Sequence, residues 1–263
     1  MIRRHLTFVC GHDVLVGTLD EPASDNGTVG LLLITGGNEV RSGAWAGQAQ
    51  FAASIATAGY SVLRFDRRGC GDSEGVNAEF RSSAPDIAAA LDAFRRECPQ
   101  LEHVIGMGNC DAASALMLSG GAGCDALILS NPWTFDSDTP DETPPEAVRS
   151  HYRNRLTDLG AVKRLLTGEV AIGPLLRSLI SAAKPAPSPG TLAQAMAAGI
   201  ADFSGPVRFL IAKRDRTGLA FLSTWEKGDA RLHQCPNASH SFVEPHAREW
   251  LIEQTLSELQ RLH

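Results

Sequence analysis

No two cysteines in the chain are spaced CxxC, and no Cys/His cluster has zinc-finger spacing, so a dithiol redox motif and a structural zinc site are both excluded. Nowhere do about 18 apolar residues run together, which excludes a membrane-spanning helix by length. Positive charge is in short supply, with 24 Lys+Arg against 30 Asp+Glu and a net charge of −6, so coating nucleic acid is not the expected business of this protein. The opening Met1–Cys10 carries two arginines but no apolar run of secretory length, and a cytoplasmic protein is expected. What is plentiful is cysteine, six of them at 10, 70, 98, 110, 124 and 235. A chain of 263 residues builds a core without disulfide staples, so free thiols are the expectation. The length suits a single large domain with an insertion as well as it suits two separate domains.

Strands and helices take turns along the chain. Leu6–Cys10 and Val14–Leu19 read as an opening hairpin across Gly11-His12-Asp13. Val29–Thr35, Tyr60–Phe65, His103–Met107 and Ala126–Ser130 read as buried strands, separated by helices over Ala44–Ala58, Ser83–Cys98 and Asp111–Leu118. Alternation of this kind implies right-handed crossovers and a mostly parallel sheet covered on both faces. Between about 132 and 203 the rhythm breaks: no strand is expected, helices are expected over Pro145–Thr167 and Gly173–Ala183, and Pro185–Pro189 reads as a connector. Strands resume at Val207–Ile211 and Arg231–Cys235, and an amphipathic helix closes the chain over Pro245–Leu262. The expected organisation is a core of residues 1–131 and 204–263, with residues 132–203 inserted as a helical lid.

One turn carries chemistry. His103–Met107 leads into Gly108-Asn109-Cys110-Asp111-Ala112 and then a helix, which places small residues two before and two after Cys110. Strand, sharp turn and helix with minimal flanks make a nucleophile elbow. A cysteine at a helix N-terminus is favoured as thiolate by the backbone N–H groups and the dipole; the bland alternative is a small buried core thiol. The glycine turn Thr35-Gly36-Gly37-Asn38 can aim an amide, from Gly37 or Asn38, to join the N–H of Asp111 as an oxyanion hole. A plain strand-to-loop turn is the alternative there.

Phe65-Asp66-Arg67-Arg68-Gly69-Cys70-Gly71-Asp72-Ser73 resembles the D-x-R-G-x-G-x-S loop of the α/β-hydrolase family, where it is mainly architectural. That resemblance implies a structural role for Asp66, Cys70 and Ser73, and implies the α/β-hydrolase fold. It also implies positions for two further residues: Asp215, just past the strand Val207–Ile211, stands where the family's acid stands, and His240, past Arg231–Cys235, stands where its histidine stands. Nucleophile, acid and histidine then follow in the family's chain order. Cysteine in place of serine is similar to dienelactone-hydrolase-like members, whose nearby glutamate suggests a comparison with Glu39. The Cys elbow, the Gly-Gly turn and the basic helical insert together look like hydrolases associated with the exosortase A system of exopolysaccharide-producing bacteria.

The expected chemistry is acyl transfer through a thioacyl enzyme, with Cys110 attacking an ester or thioester, His240 moving the proton and Asp215 orienting it. An acyltransferase and a catalytically silent binding scaffold are the alternatives. No metal or cofactor is expected. From Glu146 to Lys184 seven basic residues face three acidic ones, which suits a carrier-protein phosphopantetheine or coenzyme A, or simply a solvated helix face. Trp133 and Phe135 are candidates for an acyl pocket, or for packing at a strand end. The other histidines read as background, with His246 in reserve for His240.

Overall fold

The computed structural model describes residues 1–23, 27–136 and 190–263. Among these, eight strands form one sheet, β1 (Ile2–Cys10), β2 (Asp13–Glu21), β3 (Val29–Ile34), β4 (Ser61–Phe65), β5 (His103–Asn109), β6 (Ala126–Ser130), β7 (Val207–Ala212) and β8 (Leu232–Cys235), in the order β1-β2-β4-β3-β5-β6-β7-β8. The opening hairpin is antiparallel, and β2 pairs antiparallel with β4; every pairing from β4 across to β8 is parallel. This is the α/β-hydrolase fold that the sequence pattern led us to expect.

Strand side chains alternate between two cores, as the pleat requires. From β3, Leu32 and Ile34 enter the larger core, with α2 (Ala84–Glu97), α3 (Asp111–Leu118) and Phe221 of α5 (Arg216–Thr224). Leu31 and Leu33 point the opposite way, onto α1 (Gly47–Thr57) and α6 (Pro245–Leu262). With both faces covered, β3, β4 and β6 are buried along their whole length, which explains why they are mainly apolar; in β4 the buried Arg64 is paired with Asp20.

Two expectations about helices change. The stretch expected as one helix over Ala44–Ala58 starts late: Trp45 and Ala46 adopt left-handed backbone angles, so a 3₁₀ turn at Ala44–Ala46 is broken from α1. Alanine content alone cannot report such a kink. The helix α5 was not anticipated at all. Its N-cap is Asp215, whose carboxylate accepts the Gly218 N–H at 2.8 Å.

Most of the expected lid, including its helices and its basic residues from Arg149 to Lys184, lies outside the described residues. The described end of that stretch, α4 (Thr191–Gly199), packs Leu192 and Met196 into the larger core beside α3.

Five of the six cysteines are buried and all six are free. Burial pushes the five buried thiols up, Cys98 to about 11 and Cys124 to about 12, and so holds them protonated and inert. Cys110 alone is partly open to solvent.

Candidate active site

The loops after β3, β5, β7 and β8 all leave the sheet at the carboxyl ends of parallel strands, which is where open α/β sheets build their sites. The sharpest of these turns follows β5. Cys110 sits at φ 61°, ψ −126°, a conformation rare for a residue with a side chain, and α3 starts at the next residue. Its backbone is held there on both sides: its amide donates to the Ser130 carbonyl at 2.9 Å, and its carbonyl accepts the Ser114 and Trp133 amides at 3.2 and 3.3 Å. A side chain at Gly108 has no room, because a Cβ would come within 2.6–2.8 Å of the Ala112 and Ala113 backbone.

Asp215 and His240 approach the elbow from β7 and β8. His240 Nδ1 lies 3.0 Å from Asp215 Oδ1, with the carboxylate largely buried and the ring partly exposed. Hydrogen bonding to Asp215 first, and to Cys110 second, pushes His240 up to about 10, so both partners favour the imidazolium. Cys110, His240 and Asp215 therefore stand together as a nucleophile, base and orienting acid would.

Behind them lies a pair of asparagines that sequence reasoning missed. The Ala212 N–H donates to Asn131 Oδ1 at 2.8 Å, which leaves Asn131 Nδ2 to donate to Asn109 Oδ1 and to the His240 carbonyl, both at 3.1 Å. Since a backbone N–H can only donate, the orientation of both amides is fixed in turn. Asn109 consequently presents Nδ2 to His240 Nε2 at 3.3 Å and to the His240 carbonyl at 3.4 Å. The pair ties the histidine loop to the elbow strand, and the donor facing Nε2 works against the protonated ring. Asn131 is fully buried with φ 43°, a second unusual backbone at the site. An asparagine just after a buried strand was the one signal available.

One of the amides expected in the oxyanion hole already has a partner. Gly37 does present its amide at the elbow, but the amide is taken: it donates to both Asp111 carboxylate oxygens, at 2.7 and 2.8 Å. The amides of Asp111 itself and of Ala112 favour the charged form of that carboxylate, against the burial that pushes it up. The sequence identifies Asp111 as a backbone donor only; nothing local in it reports that the side chain reaches across to the glycine turn. Asn38 is exposed, with its side chain accepting Asn77 Nδ2 at 2.6 Å and no partner for its amide among the described residues.

Arg67 was also missed. Placed by the loop after β4, it is buried, donates to the Gly37 carbonyl and to Ser83 Oγ, and comes within 3.9 Å of Asp111. The rest of that loop is architectural: Asp66 accepts the Arg41 and Asp72 amides, and Ser73 Oγ donates to the Asp66 carbonyl. Glu39 is exposed and its carboxylate has no partner among the described residues; it is not brought onto Cys110 by any hydrogen bond. Trp133 and Phe135 stack edge-to-face at 4.7 Å beside the elbow, with Ser114 Oγ donating to the Trp133 carbonyl. His246 bonds the Pro236 carbonyl and stays exposed. Among the described residues no group of three or more His, Cys, Asp or Glu is placed to hold a metal ion.

Comparison with known proteins agrees with the fold. No curated protein sequence matches the chain. Among solved structures, the α/β hydrolase GrgF from Penicillium sp. sh18 superposes with a TM-score of 0.64 at 16% identity, covering 99% of both chains. Est1E from Butyrivibrio proteoclasticus, solved with ferulic acid bound, gives a TM-score of 0.61 at 14% identity, covering 97% of this chain and 98% of its own. The Pyrococcus furiosus esterase Pf2001 gives 0.58 at 13%, covering 99% and 90%. At such identities the likeness is one of fold. The sequence pattern described as "Alpha/beta hydrolase family" matches residues 31–254, from β3 through to α6, and the chain belongs to that family of hydrolase enzymes.

Proposed function

We propose that the protein hydrolyses ester or thioester bonds through a thioacyl enzyme on Cys110. The observation that carries this reading is the convergence on the elbow of Cys110, His240 and Asp215, with the His240 Nδ1–Asp215 contact at 3.0 Å. In the first step the Cys110 sulfur, its proton held by His240, attacks the acyl carbon. A C–S bond forms and the carbonyl π electrons move onto oxygen. Collapse of the tetrahedral intermediate breaks the bond to the leaving alcohol or thiol, which takes the proton from His240. Once sulfur is acylated, the Cys110 contribution that raised His240 is gone. The ring then falls back toward the neutral form that can draw a proton from water. Amides are poorer substrates on this scheme, because the thiolate departs more readily than an amine.

Trp133 and Phe135 are proposed as one wall of the acyl site. A carrier-protein or coenzyme A thioester suits the basic residues between 149 and 184, and transfer of the acyl group to an amine or thiol is the second reading, since a thioester intermediate acylates both. Est1E's bound ferulic acid and the esterase Pf2001 are consistent with ester chemistry on this fold.

The test is intact-mass spectrometry after mixing with p-nitrophenyl esters and acyl thioesters. A transient acyl adduct on the wild type that is absent from Cys110→Ala is expected. Equal turnover by the two proteins would remove Cys110 from the mechanism. Adding amines or thiols to the same reaction separates transfer from hydrolysis by the mass of the product.

A further inference from the structure

We infer that the Asp111 carboxylate is the resident occupant of the oxyanion site, so that a substrate carbonyl must expel it before Cys110 can acylate. The inference rests on the reading of Cys110 as nucleophile, and it makes Asp111 a determinant of which esters are accepted.

The geometry is specific. The two donors best placed for an oxyanion beside Cys110 are the Gly37 amide and the Asp111 amide, one from each side of the elbow. The Gly37 amide already donates to both oxygens of the Asp111 carboxylate, at 2.7 and 2.8 Å, and the Asp111 and Ala112 amides favour its charged form. A carboxylate oxygen held by converging amides mimics the charge that an attacked carbonyl would develop. The fit is close: a Cβ on Gly36 would lie 2.5 Å from Asp111 Oδ1, so only glycine lets the carboxylate settle this deep. Arg67 fixes the other side of the same turn through the Gly37 carbonyl and stands 3.9 Å from the carboxylate. Arg67 Nε is buried with no hydrogen-bond partner, so the cradle has a spare cationic donor next to its anion.

Occupancy by Asp111 has a consequence for selectivity. A carbonyl oxygen is a weaker acceptor than a carboxylate for the same amides. A small ester with few other contacts therefore competes poorly, whereas a substrate with a large acyl or leaving group can spend remote binding energy on the displacement. The outgoing side chain has somewhere to go, since it is already partly solvent-exposed. On its departure the two amides are free to receive the oxyanion as sulfur adds to the acyl carbon. The oxyanion's charge comes from the sulfur electron pair that forms the C–S bond and pushes the carbonyl π pair onto oxygen, while the displaced carboxylate keeps its own charge in solvent.

The experiment compares wild type with Asp111→Ala and Asp111→Ser, the serine keeping a short acceptor for the first turn of α3. Two rates are measured on each: pre-steady-state acylation by p-nitrophenyl acetate, and alkylation by iodoacetamide, which consumes the thiolate without forming an oxyanion. Acylation is expected to rise by at least tenfold in both variants while alkylation changes less than threefold. The preference for p-nitrophenyl octanoate over the acetate should shrink by a similar factor. Unchanged or slower acylation at unaltered alkylation overturns the inference. If no variant is acylated although Cys110 alkylates normally, the hydrolase reading fails, and the amide resonance of Gly37 still decides occupancy. It should titrate with Asp111 in the wild type and lose that titration in Asp111→Ala; a Gly37 resonance that ignores pH in the wild type overturns the inference independently.

Discussion

Replacing His240 with alanine is expected to lower kcat/KM for p-nitrophenyl acetate by between about 100-fold and 10,000-fold, the range that one general acid–base group supplies. The same substitution should slow iodoacetamide alkylation of Cys110 at neutral pH, because the thiolate loses the imidazolium that stabilises it. An unchanged alkylation rate would take His240 out of the pair. The pH dependence follows from the two partners that raise the ring. Asp215 first and Cys110 second hold His240 at about 10, so the ring should stay protonated through neutrality and lose its proton as pH passes about 10. In the acyl enzyme the Cys110 contribution is gone, and deacylation should show its rise with pH at a lower value than that. The folded state shares this dependence. A histidine raised on folding contributes stability that is present in full below its unfolded pKa of about 6.5 and is lost as pH rises through the folded value. The difference in Tm between wild type and His240→Ala should accordingly be largest in acid and neutral buffers and shrink toward pH 10. A difference that grows with pH would mean that the ring is neutral in the folded protein.

The parts of this architecture that the sequence discloses are those set by local rules. Small flanking residues at Gly108 and Ala112 mark the elbow because the turn leaves no room for anything larger, and continuous apolar runs mark β3 and β6 because both faces are covered. Helices α3 and α6 fall on the expected residues for the same reason, each bounded by a local signal. What escapes is whatever depends on two distant segments meeting. Asn131 orients Asn109 only because β6 lies between β5 and β7, which lets one amide bond the Ala212 N–H and the Asn109 side chain together. Asp111 is visible as the residue after the nucleophile, yet nothing local says that its carboxylate crosses to Gly37, 74 residues earlier in the chain. Arg67 belongs to a loop whose resemblance is architectural, and it reaches the site through a carbonyl rather than through any pattern of side chains. Asp215 illustrates the intermediate case. Its place after β7 is legible, while its second role as the cap of α5 hides in an acid that already had an assignment.

Gly108→Ala isolates the contribution of the elbow itself. The added methyl would lie 2.6 Å from the Ala112 carbonyl carbon and 2.7 Å from the Ala113 nitrogen, and these are backbone atoms of α3 that no rotamer change can move aside. Relief must come from a displacement of the helix against β5, at a cost of about 3 kcal/mol, the upper part of the usual range for overpacking. For a domain of this size that corresponds to a fall in Tm of roughly 6–12 °C. The chemistry should suffer more than the fold. Cys110 occupies its strained φ 61° because the flanking backbone leaves it no alternative, and a helix shifted by about 1 Å carries the sulfur and the Asp111 amide away from His240 together. Acylation by p-nitrophenyl acetate is expected to drop by about 100-fold or more at a temperature where the variant is still folded. The comparison that makes the result specific is Gly106→Ala on the same strand, where the new methyl meets the Cys124 sulfur at 2.8 Å and the Leu116 side chain instead of the elbow backbone. That variant should lose stability to a comparable degree while keeping most of its acylation rate. If both variants lose activity in proportion to their Tm, the site is disabled by general loosening of the core. If Gly108→Ala alone is inactive, the tight approach of α3 to β5 is what aims the sulfur.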